Sequence, residues 1–290
     1  MKTGLIMEGG AMRGMFTAGV IDVMMENGIR FDGAIGVSAG AVFGCNYKSM
    51  QIGRVIRYNK RFCADKRYCS FGSWLKTGDL YNADFDYRIV PRELDVFDQE
   101  TYQKNPMDFY IVATDAHTGK AVYKRLDNGD DHDILWMRAS ASMPLLSRMV
   151  EIDGGAYSDG GSADSVPLRY FEEIGYDRNV VILTQPPHFR KEKNKLLWLL
   201  KIGLRKYPNL YHALAVRHLR YNETMEYIEQ AEKEGRIFVI RPPEALNIGA
   251  GEKDPAELER VYQIGRKEGA RCLEGVAAFL SQDPPAKPGA

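Results

Sequence analysis

Phe31-Asp32-Gly33-Ala34-Ile35-Gly36-Val37-Ser38-Ala39-Gly40 runs from an apolar strand pattern into a serine held between two glycines. A run of small residues, Ala39 to Tyr47, follows and reads as a helix. A strand that stops at such a serine and turns directly into a helix makes a sharp, strained bend. That bend lifts the hydroxyl clear of the sheet. Gly36 and Gly40 leave room for the bend and for a carbonyl group to approach the backbone. The helix start at Ala39 turns unpaired N–H groups toward any negative charge forming beside Ser38. This is the pattern of a nucleophile elbow. The same five residues also suit an ordinary glycine-bounded turn, so the neighbouring segments have to decide.

Upstream, Thr3 to Met7 reads as a short buried strand, followed by the loop Glu8-Gly9-Gly10-Ala11-Met12-Arg13-Gly14. Met15 to Asn27 reads as an apolar helix closed by Gly28. Downstream, residues 50–105 are mixed and lean helical. Asp108 to Asp115 and Lys120 to Leu126 read as paired strands, and Asp133 to Ser142 as a helix. Arg148 to Ile152 and Gly155 to Ser158 are short strands, with Asp159-Gly160-Gly161 as a turn. Asn179 to Thr184 reads as the final buried strand of the core. After Pro186-Pro187 the character changes to a basic segment, a long helix from Asn209 to Glu234, a strand from Arg236 to Ile240 and a closing helix from Pro255 to Leu280. The expected organisation is a catalytic core over 1–186 and a mostly helical C-terminal region over 187–280. A disordered Pro-rich tail over 281–290 follows.

The 290 residues suit one large α/β domain with a helical extension. Lys plus Arg equals Asp plus Glu at 39 each, which gives no electrostatic footprint for nucleic acid. Cys45, Cys63, Cys69 and Cys272 form no zinc-type spacing and are expected as free thiols. The apolar run before Glu8 is too short for a signal-peptide core, and no run approaches the ~20 apolar residues of a membrane span. A cytoplasmic location is therefore expected, with peripheral membrane contact as an option.

Two glycine-rich loops each follow a strand and open a helix. In a parallel sheet such loops emerge at one edge, where ligands bind. Gly9, Ala11 and Gly14 fall on a dinucleotide frame, and Asp32 lies at the spacing of a ribose-binding acid. A nucleotide- or anion-binding module is thus one reading. Acyl transfer is the other, because its oxyanion needs backbone N–H donors from such a loop. Only the second reading uses both loops. A serine nucleophile needs a base, and the residues leave this open. His188 follows the last core strand, as in an α/β-hydrolase triad, although that fold places its elbow after the fifth strand. Asp159 ends a strand in a Ser-Asp-Gly-Gly turn. Asp153-Gly154-Gly155 is a near copy, and one of the two is expected to be a hairpin turn.

The motifs Gly9-Gly10-Ala11-Met12-Arg13-Gly14, Gly36-Val37-Ser38-Ala39-Gly40, Arg138-Ala139-Ser140-Ala141-Ser142-Met143-Pro144 and Asp159-Gly160-Gly161, with Pro167 beyond, together resemble the patatin-like phospholipases. The resemblance covers roughly residues 4–185, in order. It implies a three-layer parallel-sheet α/β fold, hydrolysis of lipid acyl esters and a Ser-Asp dyad without histidine. Carried over by motif, Ser38 is the nucleophile and Asp159 the base. Gly9, Gly10 and Ala11, with Ala39, form the oxyanion hole, and Arg13 and Gly14 shape the loop or position an anion. No cofactor is implied. A thioesterase or an acyltransferase would use the same site. The family's first loop usually has three consecutive glycines, and here the third is Ala11. If that position needs φ > 0, alanine costs ~1 kcal/mol or more relative to glycine.

Asp127-Asn128-Gly129-Asp130-Asp131-His132-Asp133 lacks EF-hand spacing and reads as a helix-capping turn, so no metal is expected. Met7, Met12, Met15, Met24 and Met25 are expected in the core. Residues 188–220 hold nine Lys/Arg and one acid, Glu192, around Leu196 to Leu204 with Trp198. That segment is expected either to contact an anionic membrane or to pack as a helical hairpin with its cations solvated. A lipid ester is the expected partner, and the sequence leaves oligomeric state open.

Overall fold

β1 (Lys2–Met7) carries Leu5 and Met7 on one face and Ile6 on the other, and all three are fully buried. A strand apolar on both faces belongs in the middle of a sheet covered on both sides. The computed structural model describes residues 1–282. After β1 come α1 (Gly14–Glu26), β2 (Gly33–Val37) and α2 (Ala39–Lys48). The middle of the chain forms α3 (Arg54–Phe62), α4 (Phe71–Thr77), a π-helical stretch Phe85–Leu94 and α5 (Gln99–Lys104). β3 (Asp108–Asp115), β4 (Ala121–Arg125), α6 (Asp131–Ser140), β5 (Val150–Ile152) and β6 (Gly155–Asp159) follow. The chain then runs through α7 (Leu168–Glu173), β7 (Tyr176–Ile182), α8 (Leu197–Gly203), α9 (Pro208–Lys233), β8 (Ile237–Ile240) and α10 (Pro255–Ser281).

Among the described residues one eight-stranded sheet has the order β5-β6-β3-β2-β1-β7-β8, with β4 also paired to β3. β3, β2, β1, β7 and β8 are mutually parallel, and β4, β5 and β6 form antiparallel pairs at one side. One face packs Leu5, Met7 and Phe109 on residues of α1, α2 and α10, including Met15, Phe16, Met24 and Met25. The other face packs Ile6, Val37 and Val112 on Phe171 of α7 and on Tyr221, Met225 and Ile228 of α9. The fold is thus the expected α/β sandwich around a mostly parallel sheet, with C-terminal helices on both faces. The expected core methionines, Met12 included, are buried, and the four cysteines are free thiols.

Several boundaries differ from expectation, and three of them have a physical reason. β7 is not the last strand of the sheet, because β8 pairs with it in parallel. β2 begins at Gly33 because the Asp32 carboxylate turns back to accept bonds from the amide and hydroxyl of Thr3, at 2.7 and 2.9 Å. α6 starts two residues early, at Asp131, because Asp130 caps it by accepting from the Asp133 amide at 3.0 Å. Of the tail expected over 281–290, Ser281 closes α10, and residues 283–290 lie outside the described residues.

α10 and α1 cross so closely that a Cβ on Gly19 would overlap the Tyr262 carbonyl. Inside that crossing Asp22 is 2 % exposed and accepts from the Tyr262 hydroxyl and the Gly53 amide at 2.7 and 3.0 Å. Burial pushes its carboxyl up from 3.8 to about 6, against those two bonds and the Arg266 charge. A carboxyl whose folded pKa lies above its unfolded one stabilises the fold at low pH and loses that contribution as pH rises. Stability is therefore expected to fall by about 3 kcal/mol from this group as pH rises through its pKa. Asp22→Asn is expected to flatten that slope, which denaturant unfolding at a series of pH values from 3.8 to about 6 measures.

Candidate active site

Ser38 sits between β2 and α2 with φ 54° and ψ −120°. That conformation is rare for a residue with a side chain, and it holds local strain of ~1–3 kcal/mol. Two contacts maintain it. The Ser38 amide donates to the Ser140 hydroxyl at 2.9 Å. Gly40 lies so close to the end of β1 that a Cβ there would overlap the Met7 carbonyl oxygen. Gly44, one turn on, leaves space for the Met7 side chain. The face of α2 that carries Gly40 and Gly44 is thus pressed onto the sheet.

The first loop leaves β1 at the same sheet edge. A Cβ on Gly9 would meet the Val37 carbonyl at 2.8 Å and the Ser38 Cβ at 2.9 Å, so only glycine lets the loop lie against the elbow. The amides of Gly9, Gly10 and Ala39 have no hydrogen-bond partner among the described residues. Glu8 anchors the loop from below. It is 3 % exposed and accepts from the Thr184 amide at 2.6 Å, the Thr184 hydroxyl at 3.1 Å and the Tyr221 hydroxyl at 2.8 Å. Ala11 has φ 47°, so the position does require left-handed backbone. Gly14 opens α1 against Phe43 and Ala39.

Asp159 ends β6 and is 7 % exposed, with the Ser38 hydroxyl close enough to its carboxylate to favour the ionised form. The Gly161 amide donates to it at 2.8 Å. Burial raises its pKa, while the Ser38 hydroxyl, the Arg217 charge and the Gly161 amide oppose the rise. Its backbone is clamped as well. The Asp159 amide donates to the Ser142 carbonyl at 2.8 Å, and the Thr114 hydroxyl donates to the Asp159 carbonyl at 2.8 Å. The segment Arg138–Pro144 therefore positions both residues, through Ser140 on one and Ser142 on the other. Sequence reading noted that segment without a role for it.

A cavity of ≈ 130 Å³ opens beside Ser38 and Ala39 and is walled mainly by apolar groups such as Val42, Phe43, Val90, Phe97 and Met137. The one acid in its wall without a hydrogen-bond partner, Asp86, is pushed well up by burial, toward its neutral form. The lining therefore suits an alkyl chain.

Other candidate residues fall elsewhere. Among the described residues no histidine hydrogen-bonds to Ser38 or Asp159. His188 is exposed, and His132 is paired with Asp153 at 2.8 Å. Asp153 and Gly154, with φ 51° and 78°, form the two-residue turn joining β5 and β6. Asp32 precedes β2, whereas the glycine loop follows β1, so the two lie at opposite ends of the parallel strands. That overturns its role as a ribose acid. Asp130, His132 and Asp133 come together, but Asp130 caps α6, and Asp133 accepts the Asn128 and Gly129 amides at 2.7 Å. The cluster is a capping turn.

The chain matches the Patatin-like phospholipase family over residues 5–172 and a Domain of unknown function (DUF6363) over residues 207–281. It is 29 % identical to the Uncharacterized protein YjjU of Escherichia coli K12, over 98 % of this chain and 80 % of that protein. It is 22 % identical to the Lysophospholipase NTE1 of Candida glabrata, over 94 % of this chain but only 16 % of the yeast protein's length. The crystal structure of VipD from Legionella pneumophila aligns with a TM-score of 0.46 at 12 % identity, covering 94 % of this chain and 67 % of that one.

The left-handed backbone at Ala11 gives a direct test of loop strain. Ala11→Gly is expected to stabilise the protein by about 1 kcal/mol, read from the midpoint of denaturant unfolding.

Proposed function

The chain belongs to the patatin-like phospholipase family, a family of lipid acyl hydrolases. From that premise we propose that it cleaves lipid acyl esters with a Ser38–Asp159 dyad through an acyl-enzyme. The observation that carries this is the strained Ser38 turn set beside the buried Asp159 carboxylate, with unpaired amides and an apolar cavity next to it. Residues 1–186 are read as the catalytic part, and 187–280 as the region that completes it.

The acyl chain enters the cavity, and its ester carbonyl lies over the elbow. Ser38 Oγ attacks that carbon as its proton passes to Asp159. An ordinary aspartate, with a pKa of ~4, is a weak acceptor for this proton, and burial makes Asp159 a stronger one. The oxyanion is held by the amides of Gly9, Gly10, Ala11 and Ala39, which require no reorganisation as charge develops. Collapse expels the alcohol, which takes the proton from Asp159. Water then attacks the acyl-Ser38 ester and gives its proton to Asp159, and collapse releases the fatty acid as Asp159 returns that proton to Ser38 Oγ.

Docking on a bilayer is the second part of the proposal. Leu200 and Leu204 pack α8 onto Leu210 and Leu214 of α9, as a helical hairpin would. The other side of α8 is bare, with Trp198 and Ile202 each 64 % exposed. α4 adds Phe71 and Leu75, and the Leu145–Leu146 loop joins the two helices. The Trp74 indole donates to the Leu145 carbonyl at 2.9 Å, and Leu145 lies against Gly203. Ser142, Met143 and Ser147 of the same loop line the cavity. Lys76, Lys193, Lys195 and Lys201 surround this strip, exposed and without ion-pair partners among the described residues. Apolar groups ringed by cations complement an anionic bilayer, each cation contributing ~1 kcal/mol near the surface. No described helix is long and apolar enough to cross a membrane.

Ser38→Ala is expected to abolish ester turnover and fluorophosphonate labelling while the fold survives. Labelling retained at another serine would refute the nucleophile. Asp159→Asn is expected to lower kcat/KM by about 10³-fold, whereas His188→Ala retains it. Because the base must be ionised and its pKa is raised, kcat/KM should climb with pH through a midpoint above the usual carboxylate value of ~4 and then level off. Vesicle co-sedimentation should increase with anionic lipid and decrease with salt. It should weaken when Trp198 and Ile202 become serine, and equal sedimentation with neutral vesicles would remove the electrostatic part.

A further inference from the structure

Outside the apolar cavity, three cations gather at the rim of the oxyanion loop. A Cβ on Gly10 would meet an Arg13 terminal nitrogen at 3.3 Å, and a Cβ on Gly161 would meet Arg217 Nη2 at 2.9 Å. Arg13 therefore flanks the loop, and Arg217, from α9, flanks the turn that carries Asp159. Lys191 is the third. Its ammonium lies 4.5 Å from the centre of the Tyr221 ring, one helical turn from Arg217. Asn222 fixes the Lys191 backbone by accepting from its amide at 2.8 Å and donating to its carbonyl at 3.1 Å. None of the three side chains makes an ion pair or hydrogen bond among the described residues, and none lines the cavity. The Nε atoms of Arg13 and Arg217 are buried with no partner.

Two acids lie near the group, and neither forms an ion pair with it. The Glu8 carboxylate takes its hydrogen bonds from Thr184 and Tyr221 while its charge acts on Lys191, and the Arg217 charge favours the ionised form of Asp159. The cations feel one another. Burial and the Arg217 and Arg13 charges, opposed by Glu8, pull the Lys191 ammonium down to about 8. Buried, unpaired guanidinium nitrogens are costly unless an anion completes them.

We infer that Arg13, Lys191 and Arg217 form a head-group subsite for a phosphomonoester, two of its three cations being supplied by the C-terminal region. The inference rests on the acyl-hydrolase reading, because a substrate with its chain in the cavity and its ester at Ser38 must leave its head outside the cavity. A phosphomonoester brings nearly two negative charges, which suits three cations that have no ion pair or hydrogen bond of their own. A choline phosphodiester brings one and carries its own cation toward the cluster. The substrate class is therefore a lysophosphatidate-like lipid.

The test compares lysophosphatidate, lysophosphatidylcholine and monoacylglycerol of one chain length, with wild type, Arg217→Met, Lys191→Met and the exposed-site control Lys267→Met. Wild type is expected to prefer lysophosphatidate over the other two. In Arg217→Met and Lys191→Met the ratio of kcat/KM for lysophosphatidate to that for monoacylglycerol should fall ~10- to 100-fold, with no such fall in Lys267→Met. A wild type that does not prefer lysophosphatidate, or a ratio unmoved in both variants, overturns the inference. An equal fall on all three substrates in Arg217→Met would assign Arg217 to Asp159 instead and overturns it too. Calorimetry with glycerophosphate is independent of turnover. Weak binding with proton uptake above the Lys191 pKa is expected, lost in Lys191→Met. Glycerophosphate binding as tightly as lysophosphatidate would mark a free-phosphate site and overturn the head-group assignment. Glycerophosphate binding without hydrolysis of any ester would overturn the acyl-hydrolase reading while the anion site stands.

Discussion

A side chain on Gly40 would overlap the Met7 carbonyl, and the rest of the site follows from that close approach. Because the first turn of α2 rests on the end of β1, the bend at Ser38 has no room to relax, and the serine is held in left-handed backbone. The same approach brings the loop after β1 alongside the elbow, so that Gly9 lies against the Ser38 Cβ. Donors for an oxyanion must lie within a few tenths of an ångström of their positions to act. A methyl group at Gly9 or Gly40 would displace them by more than that tolerance. The glycines therefore set the distance between Ser38, the proposed nucleophile, and the amides proposed as its oxyanion donors, and not merely the flexibility of a turn.

Asp159 is governed by opposed electrostatic terms. Burial favours its neutral form, while the Ser38 hydroxyl, the Arg217 charge and the Gly161 amide favour its ionised form. For the proposed role of base, a fully exposed aspartate would be too weak, and a fully isolated buried one would never ionise. The arrangement lies between these limits. Its position relative to Ser38 is fixed through one short segment, since Ser140 takes the Ser38 amide and Ser142 takes the Asp159 amide. Residues separated by more than a hundred positions are thereby referenced to a single helix end.

The legible parts of this molecule were those written locally. The elbow, the strand periodicity of β1 and the stripe Leu210, Leu214, Tyr221, Met225 and Ile228 each depend on near neighbours, and the packing agrees with them. Asp153 and Asp159 were harder, because both head an Asp-Gly turn. The distinction is tertiary: one closes an exposed hairpin, and the other is buried beside Ser38. Asp32 misled for a related reason. Counting residues from a glycine loop does not say at which end of its strand an acid will lie. The backbone at Ala11 was left open because one sequence carries no sign of φ. Arg217 and Lys191 read only as members of a basic run, since nothing local reports which of its cations face inward.

Glu8 joins the two parts of the chain. It immediately precedes the oxyanion loop, it is buried, and its carboxylate receives donors from Thr184 after β7 and from Tyr221 on α9. A buried carboxylate is tolerated only while its donors remain. Removing the Tyr221 hydroxyl would leave Glu8 under-bonded beneath the loop, a cost of ~1–3 kcal/mol carried directly by the backbone of Gly9 and Gly10. The first strand and the long C-terminal helix are thus linked by one hydrogen bond across 213 residues. A displacement of α9 moves Tyr221, Arg217 and the Asn222 clamp on Lys191 together. The floor of the glycine loop proposed to hold the oxyanion and the cations at its rim therefore answer to the same helix.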